Sequence, residues 1–230
     1  LEHWGCPWNR EADGSVAVSR ADSEINDLDV KRAISASEGN LRDAANRKIL
    51  HTIPLAYKLD GKKILGRPQG LKGNLLEVRT LFVTALEQHL DDLVDCVETA
   101  GVEVDDVVAS PIAESLAVLS KVQKTAGCVL ANIGAETVSV AVFEEGIPLS
   151  LQVFPIGSTD ITNDIALGLK ISLEEAEQIK RTRDHLPTKK KVEEIIEARL
   201  SDIFELIEAH LKKLGRNGLL PAGIVMTGGG

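Results

Sequence analysis

The chain has 230 residues, of which 43% are hydrophobic and only 3% aromatic, and its formal net charge is −9. This length suits one large domain or two modest ones, and the apolar content excludes a globally disordered chain. The negative charge argues against a general nucleic-acid binder. No apolar run of about 18 residues occurs, so no membrane-spanning helix is predicted. Three widely spaced cysteines without a CxxC motif predict buried thiols in a reducing compartment.

The first residues carry weak signals, and regular structure is predicted only after them. Residues 1–13 have no hydrophobic period and are expected to be a poorly defined end, whereas residues 14–20 alternate as a strand does. Asn26 or Asp27 is expected to cap the first helix, because short polar side chains satisfy the free amides of a helix start.

Extended segments and a helix are predicted next. Residues 48–66 read as extended chain with a turn at Asp60 and Gly61, a dipeptide that favours tight hairpins. A stronger alternating strand follows and ends at Thr84. Thr84 and Glu87 have the spacing of a capping box, so a helix is expected to begin between them.

The second half of the chain opens with a short predicted strand, DVVAS, at 106–110. Ser110 is expected to cap a helix that has proline at its first position. Three further segments predict a meander of strands, and they span 127–134, 137–143 and 147–157.

Helices dominate the remainder of the sequence. Ser172 and Glu175 predict a second capping box, and Thr188 is expected to cap the longest helix, which carries one apolar stripe. The segment AGIVMT at 222–227 predicts a final strand before three glycines.

Three stretches of this second half are candidates for one ligand site. In NIGAET at 132–137, a strand that ends in Gly134 and is followed by hydroxyl side chains can wrap a phosphate with backbone N–H groups. Asn132 is an amide, and an amide is a poor anchor for magnesium. The alternative interpretation of this stretch is an ordinary hairpin.

The other two stretches are a helix face and a glycine run. Glu177 and Lys180 lie one helical turn apart, so both side chains leave one face, and the alternative is a surface ion pair. Gly228, Gly229 and Gly230 carry no Cβ, so a bulky ligand can approach the backbone there. The alternative for the glycine run is a flexible tail. No catalytic residue and no metal-ligand cluster is predicted from the spacing of the histidines, cysteines and serines.

These segments, in this order, resemble the FtsA family of bacterial cell-division proteins, which belongs to the actin superfamily. The matching segments are KILHTIPLAYKLDG, NLLEVRTLFVT, ASPIAESLAVLS, FPIGSTDITNDIALGL, LEEAEQIK, EEIIEARLSDIFELI and PAGIVMTGGG. The resemblance implies an α/β fold: an actin-like (ribonuclease-H-like) lobe at 108–230, truncated after the adenosine motif, plus a small inserted α+β domain at 14–107.

The resemblance also implies ligands and partners. The family binds ATP with magnesium, polymerises, and anchors filaments of FtsZ to the inner face of the membrane at the division site. The small domain serves filament contacts and the recruitment of later division proteins. The chain is expected to be an internal fragment without the first phosphate loop and without the amphipathic helix that contacts the membrane.

The resemblance assigns residues by position. Those that correspond to the family's nucleotide site lie in the second phosphate loop, in the adenosine-holding helix and in the terminal glycine run: Asn132, Gly134, Thr137, Glu177, Lys180, Gly228, Gly229 and Gly230. Arg199 matches a basic position in the subdomain where the FtsZ tail docks, and its alternative role is an intrahelical ion pair.

The second phosphate loop departs from the family pattern, which usually reads close to DIGGGTTD. Asn132 replaces the first acid, Glu136 replaces a small residue, and the final threonine and aspartate are also lost. A carboxylate at position 136 would repel the phosphates, so ATP hydrolysis is expected to be very weak or absent.

Three functions therefore compete. The first is an actin-like division scaffold, and the second is an adaptor of pilus assembly related to PilM, whose partner is a short peptide of a membrane protein. The third is a working actin-like ATPase, which needs an acidic residue to order magnesium and water.

Overall fold

The computed structural model describes residues 8–18, 23–42, 45–182 and 189–229. The chain divides into two compact units. The first unit combines Leu1–Val118 with Ile147–Gln152, and the second combines Leu119–Gly146 with Val153–Gly230.

The first unit is built on a four-stranded antiparallel sheet with strand order β1-β4-β2-β3. Helix α1 packs on β1 and β4 over a core of aliphatic side chains. The elements are β1 (Trp8–Ala17), α1 (Asp27–Gly39), β2 (Arg47–Leu59), β3 (Lys62–Ile64), β4 (Leu75–Leu86), α2 (Glu87–Thr99) and α3 (Ser110–Val118).

Local signals in the first unit are confirmed where a short stretch of chain decides the geometry. Asn26 is the N-cap of α1 and shares a capping box with Asp29. Asp60 and Gly61 form the β2–β3 turn, both with positive φ, as a two-residue hairpin requires.

Two boundaries in the first unit differ from the prediction. Strand β1 begins at Trp8, earlier than the predicted start at residue 14, because it pairs with β4 along its whole length. The capping box of Thr84 and Glu87 is wrong. Strand β4 continues to Leu86, and Thr84 is buried in the sheet, so it cannot cap α2.

The predicted strand at 106–110 is also wrong. Residues 102–109 have no regular secondary structure, and α3 begins at Ser110. The amide of Ala109 donates a 2.9 Å hydrogen bond to Nε2 of His51 instead of to a neighbouring strand. A side chain of β2 therefore satisfies the backbone where a sheet partner was expected.

The second unit contains the predicted meander. Strands β5 and β6 are antiparallel, β5 and β8 are parallel, and the sheet has strand order β7-β6-β5-β8. The elements are α4 (Lys121–Ala126), β5 (Cys128–Ile133), β6 (Val138–Glu144), α5 (Ser158–Leu169), α6 (Leu173–Thr182), α7 (Lys189–Lys213) and β8 (Ile224–Thr227). Strand β7 (Ile147–Phe154) belongs to the first unit as far as Gln152. Strand β5 is buried along most of its length, as the continuous apolar run indicates.

Helix α7 holds the second unit together. Its stripe contributes Ile203, Ile207 and Leu211 to a core shared with β5 and β6. Nearer its start, Val192 packs in a cluster with residues of α5 and α6. The predicted box of Ser172 and Glu175 opens α6, whereas Thr188 lies outside the described residues.

Two composition-based expectations have different outcomes. Cys128 is buried as expected, but Cys96 is exposed on α2, so the prediction of buried thiols is wrong for that residue. Across the described ranges, none of the helices combines the length and the apolar character that crossing a bilayer requires.

Candidate functional site

The β5–β6 turn, residues 134–137, is the predicted second phosphate loop. The Gly134 amide donates to the Thr137 carbonyl over 2.9 Å, which closes the turn. Among the described residues, neither the Ala135 amide nor the Glu136 amide has a hydrogen-bond partner. Two neighbouring N–H groups at an exposed turn are suitable donors for an anion.

The start of α5 packs directly against this turn. The amides of Ser158 and Thr159 donate to the carbonyls of Gly134 and Ala135 over 3.0 and 2.9 Å. Gly157 precedes them, and a Cβ there would collide with the Ala135 carbonyl. The helix start is therefore satisfied by the turn, and glycine at position 157 permits the close approach.

Two carboxylates complete this corner. The Thr159 hydroxyl donates to Glu136 over 3.0 Å, so the Glu136 side chain is held against the start of α5. The Asp160 carboxylate accepts from the Gly157 amide over 2.8 Å. Both negative charges lie at the positive end of the helix dipole, which stabilises them.

Helix α5 also carries the contacts that fix Glu177 and Lys180. The Thr162 hydroxyl donates to Glu177 over 2.6 Å, and Lys180 donates to Thr162 and to the Ser158 carbonyl over 3.0 and 3.2 Å. Glu177 and Lys180 form a 2.7 Å ion pair, and the Lys180 side chain is only 16% exposed. The pair is therefore part of an α5–α6 network rather than a solvated surface pair.

The same network lowers the pKa of Glu177. The hydrogen bond from Lys180, followed by those from Thr162 and Arg181, lowers the pKa of Glu177 from 4.5 to about 2. Glu177 thus stays ionised through the whole physiological pH range. Its oxygens are oriented by three donors, so the carboxylate is pre-positioned for a further hydrogen bond.

The end of β8 meets the end of β5. Asn132 and Thr227 are opposite each other in the parallel register. Gly228 follows with a φ of 101°, and a Cβ there would collide with the Ile133 carbonyl and lie 2.8 Å from Oδ1 of Asn132. Around Gly229, a Cβ would meet open space. Gly230 lies outside the described residues.

The structure thus connects two of the predicted stretches through α5. The turn contacts Ser158 and Thr159, and Ser158 and Thr162 in turn contact the Glu177–Lys180 pair. The glycine run joins the same turn through the backbone of Ile133. Sequence reasoning missed the α5 hydroxyls, although Ser158 and Thr162 have the i,i+4 spacing of one helix face.

Arg199 lies on α7 and faces α5. Its Nε donates to Asp164 over 2.7 Å, and a second nitrogen lies 3.4 Å from Asp202 on its own helix. The hydrogen bond to Asp164 is the main cause that raises the pKa of Arg199 above its ordinary value. The predicted alternative of an intrahelical ion pair is present, but the shorter contact joins two helices.

An apolar pocket opens between α6 and α7, and Arg199 is not among the residues that line it. Its volume is about 290 Å³, and its charged lining residues are Lys189, Glu193 and Glu197. The apolar lining comes from Ile179, Val192, Ile196, Leu200 and Phe204. Apolar walls with charged groups at the edge are typical of a site for a short peptide.

Comparison with known proteins finds two matching family models. A family model described as cell division protein FtsA matches residues 129–216, and a model described as the SHS2 domain inserted in FtsA matches residues 10–84. Both matching models describe parts of FtsA, so this chain is similar to FtsA in two successive segments. The FtsA match at 129–216 contains the β5–β6 turn, α5, α6 and all of α7, so the network described above lies within it.

Curated FtsA proteins match most of this chain. FtsA of Bacillus subtilis is 33% identical over 243 residues, which is 96% of this chain and 55% of the relative. FtsA of Pseudomonas aeruginosa is 31% identical over 239 residues, which is 94% of this chain and 57% of the relative. The chain therefore spans little more than half the length of these relatives.

Solved structures confirm the actin-like fold. A PilM–PilN type IV pilus biogenesis complex has a TM-score of 0.65 at 17% identity, covering 96% of this chain and 60% of the matched chain. MreB5 of Spiroplasma citri bound to ADP has a TM-score of 0.52 at 16% identity, covering 62% of this chain and 54% of the matched chain. At these identities the likeness concerns the fold alone.

The described residues offer both donors and an acceptor to a ligand. The turn has two amide donors, the Glu177 carboxylate can accept from hydroxyls, and a Cβ at Gly229 would meet no other atom. Within the described ranges, no cluster of three or more His, Cys, Asp or Glu side chains is arranged to hold a metal ion.

Proposed function

We propose that this chain is part of an FtsA-type division scaffold. In this proposal it binds ATP with little turnover, assembles into filaments and tethers FtsZ filaments to the inner face of the membrane at the division site. The observation that carries the proposal is the match of two FtsA-specific models to successive parts of one chain.

The proposed nucleotide site uses residues from the turn, α6 and β8. Asn132, Gly134 and Thr137 surround the phosphates, Glu177 and Lys180 hold the sugar, and the glycine run from Gly228 to Gly230 flanks the adenine. Support comes from the unpartnered amides of the turn and from the contacts that orient the Glu177–Lys180 pair. ATP would be the charged, hydrogen-bonding ligand of this site, and its presence would couple the nucleotide state of a subunit to the filament.

The turnover assay tests whether this site is enzymatic. Full-length protein should release phosphate from ATP very slowly, because Asn132 offers no carboxylate to order magnesium and water. Asn132→Asp serves as the comparison variant, since it restores an acid without a large change in volume. Rapid phosphate release by the unmodified protein would favour the alternative of a functioning actin-like ATPase.

The proposed FtsZ site lies on the α6–α7 face. The apolar pocket would accept apolar side chains of the FtsZ C-terminal tail, while Arg199 would attract its acidic flank. Arg199→Glu should weaken tail binding at least several-fold, because the reversed charge would repel the acidic flank that Arg199 is proposed to attract. Fluorescence anisotropy of a labelled tail peptide measures this directly.

Arg216→Glu is the matched control for that titration. Arg216 also belongs to the second unit and forms a 2.9 Å ion pair, with Glu144, at a similar side-chain exposure. Equal weakening by both variants would indicate general damage rather than a docking role. Unchanged affinity in Arg199→Glu would remove Arg199 from the proposed interface.

The first unit has its own proposed role. Residues 14–107 are assigned to the small inserted domain, which would contact the next subunit of a filament and later division proteins. Residues 108–230 are assigned to the actin-like lobe.

A PilM-like adaptor is the second candidate. The observation that favours it is the structural likeness to the PilM–PilN complex over 96% of this chain. Its partner would be a short peptide of a membrane protein rather than FtsZ. Parallel titrations with an FtsZ tail peptide and with a PilN-type peptide separate the two, since each proposal requires binding of one peptide and not the other.

A further inference from the structure

The β5–β6 turn contains groups that attract an anion and a group that repels it. Its two unpartnered amides, those of Ala135 and Glu136, are donors that attract phosphate oxygens. The Glu136 side chain adds a negative charge to the same turn, and its bond to the Thr159 hydroxyl holds it in place. A fixed carboxylate repels a neighbouring anion more effectively than a side chain that is free to swing away.

Charges around the turn do not offset this carboxylate. Asp160, at the same end of α5, is a second acid and already binds the Gly157 amide. Lys180 and Arg181 on α6 are both paired with Glu177. Arg199 interacts electrostatically with Asp160, but it is itself paired with Asp164 and Asp202. Asn132 is neutral, so the described corner is negative overall.

We propose that Glu136 sets the charge selectivity of the nucleotide site, so that affinity falls as the number of phosphate charges on the nucleotide rises. This inference rests on the proposed nucleotide binding. The turn amides hold the first phosphates, while the Glu136 carboxylate penalises each additional one unless a divalent cation screens it. The site therefore favours ADP over ATP when divalent cations are absent.

The size of the effect follows from simple electrostatics. Repulsion between two unit charges at contact distance in water lowers a binding constant about five-fold, and by less when salt screens the charges. Neutralising Glu136 should therefore improve ATP binding about five-fold, improve ADP binding less and leave adenosine unchanged. This graded response separates a charge effect from a change in the shape of the site.

The test compares three ligands in full-length protein. Adenosine, ADP and ATP are titrated by calorimetry into the unmodified protein and into Glu136→Gln, in low-salt buffer with EDTA. The expected result is an ATP-to-adenosine affinity ratio about five-fold higher in the variant, with the gain shrinking at high salt. An unchanged ratio would overturn the role of Glu136.

Two further variants keep the test specific. Glu205→Gln removes one negative charge from an exposed position on α7 and should leave the ratio unchanged, whereas an equal gain there would reduce the effect to net charge. Thr159→Val frees the Glu136 side chain without changing any charge, so it should raise the ratio by a smaller factor. No change in Thr159→Val would show that the tether is unnecessary and overturn that part of the argument.

Failure of the proposed nucleotide site has a different signature. If neither the unmodified protein nor Glu136→Gln binds adenosine, ADP or ATP, the proposed nucleotide site is refuted, and the proposed selectivity is refuted with it. If adenosine binds both proteins equally and the three affinities keep their ratios, only the role of Glu136 is wrong. Thermal unfolding of each variant confirms that the compared proteins are folded.

Discussion

Two hairpin turns of this molecule differ in the hydrogen-bond partners of their backbone and nearby amides, and this difference distinguishes a structural turn from a candidate binding turn. The turn of Asp60 and Gly61 closes on its own sheet, because the Asp60 carboxylate accepts from the amides of Asn74 and Leu75 over 3.0 and 2.9 Å. The β5–β6 turn instead binds the start of α5 and leaves two amides open. The first turn needs no ligand, whereas the second is a candidate to bind one.

Glycine has a different purpose in each case. Gly61 has a φ of 78° and faces open space, so only its backbone conformation requires glycine. Gly157 faces the carbonyls of the β5–β6 turn at a distance that no Cβ tolerates. The turn at Gly61 therefore depends on local geometry alone. The β5–β6 turn depends on α5, which begins about 20 residues further along the chain.

The largest effect is expected from Gly157→Ala. The added methyl group would force α5 away from the turn, at a cost of about 1–3 kcal/mol in the free energy of unfolding and with loss of nucleotide binding. Urea unfolding followed by circular dichroism measures the first quantity, and calorimetry measures the second. A variant with unchanged stability and binding would contradict the close approach of α5.

Gly61→Ala is the matched control for that substitution. The same methyl group meets no atom, so the cost is limited to backbone strain of about 1 kcal/mol. Nucleotide affinity should not change.

A smaller effect is expected from Asp60→Ala. The variant loses the acceptor for two exposed backbone amides, which should lower the free energy of unfolding by about 1 kcal/mol. Asp60→Asn should lose less, because its amide oxygen still accepts and asparagine tolerates a positive φ. Any change in nucleotide affinity would contradict the independence of the two turns.

The smallest effect concerns pH. The folded pKa of Glu177 is lowered from 4.5 to about 2, so its ionised form stabilises the fold above about pH 4.5. This stabilisation is lost as the pH falls from about 4.5 to about 2, and the side chain is 34% exposed, so solvent screening keeps the effect modest.

Glu177→Gln should remove this pH dependence. Urea unfolding at pH 6 and at pH 3 should differ less in this variant than in the unmodified protein or in Glu205→Gln. Equal differences in all three proteins would mean that the α5–α6 network does not contribute to stability.

Signals that act within a few residues were predictable. The Asp60–Gly61 turn, the cap of α1 at Asn26 and the box of Ser172 with Glu175 all depend on side chains that bond to their own neighbourhood. The stripe of α7 was predictable for the related reason that helical periodicity fixes which residues share a face.

Signals that depend on distant partners were misread. Thr84 is a residue type that often caps helices, yet pairing with β2 continues β4 past it to Leu86. The apolar segment 106–110 has the composition of a strand, yet the Ala109 amide binds His51. In both cases an interaction partner dozens of residues away decides between two locally reasonable structures.

The sequence by itself determined most of the order of strands and helices, the resemblance to FtsA and the residue types of the candidate site, because these depend on periodicity, capping and short motifs. Tertiary structure decided which of those residues meet. It joined the β5–β6 turn to Glu177 and Lys180 through the hydroxyls of α5, and it gave Arg199 a partner in Asp164. Such contacts arise only when separate helices pack, since their geometry depends on how neighbouring elements fill shared space rather than on any local pattern.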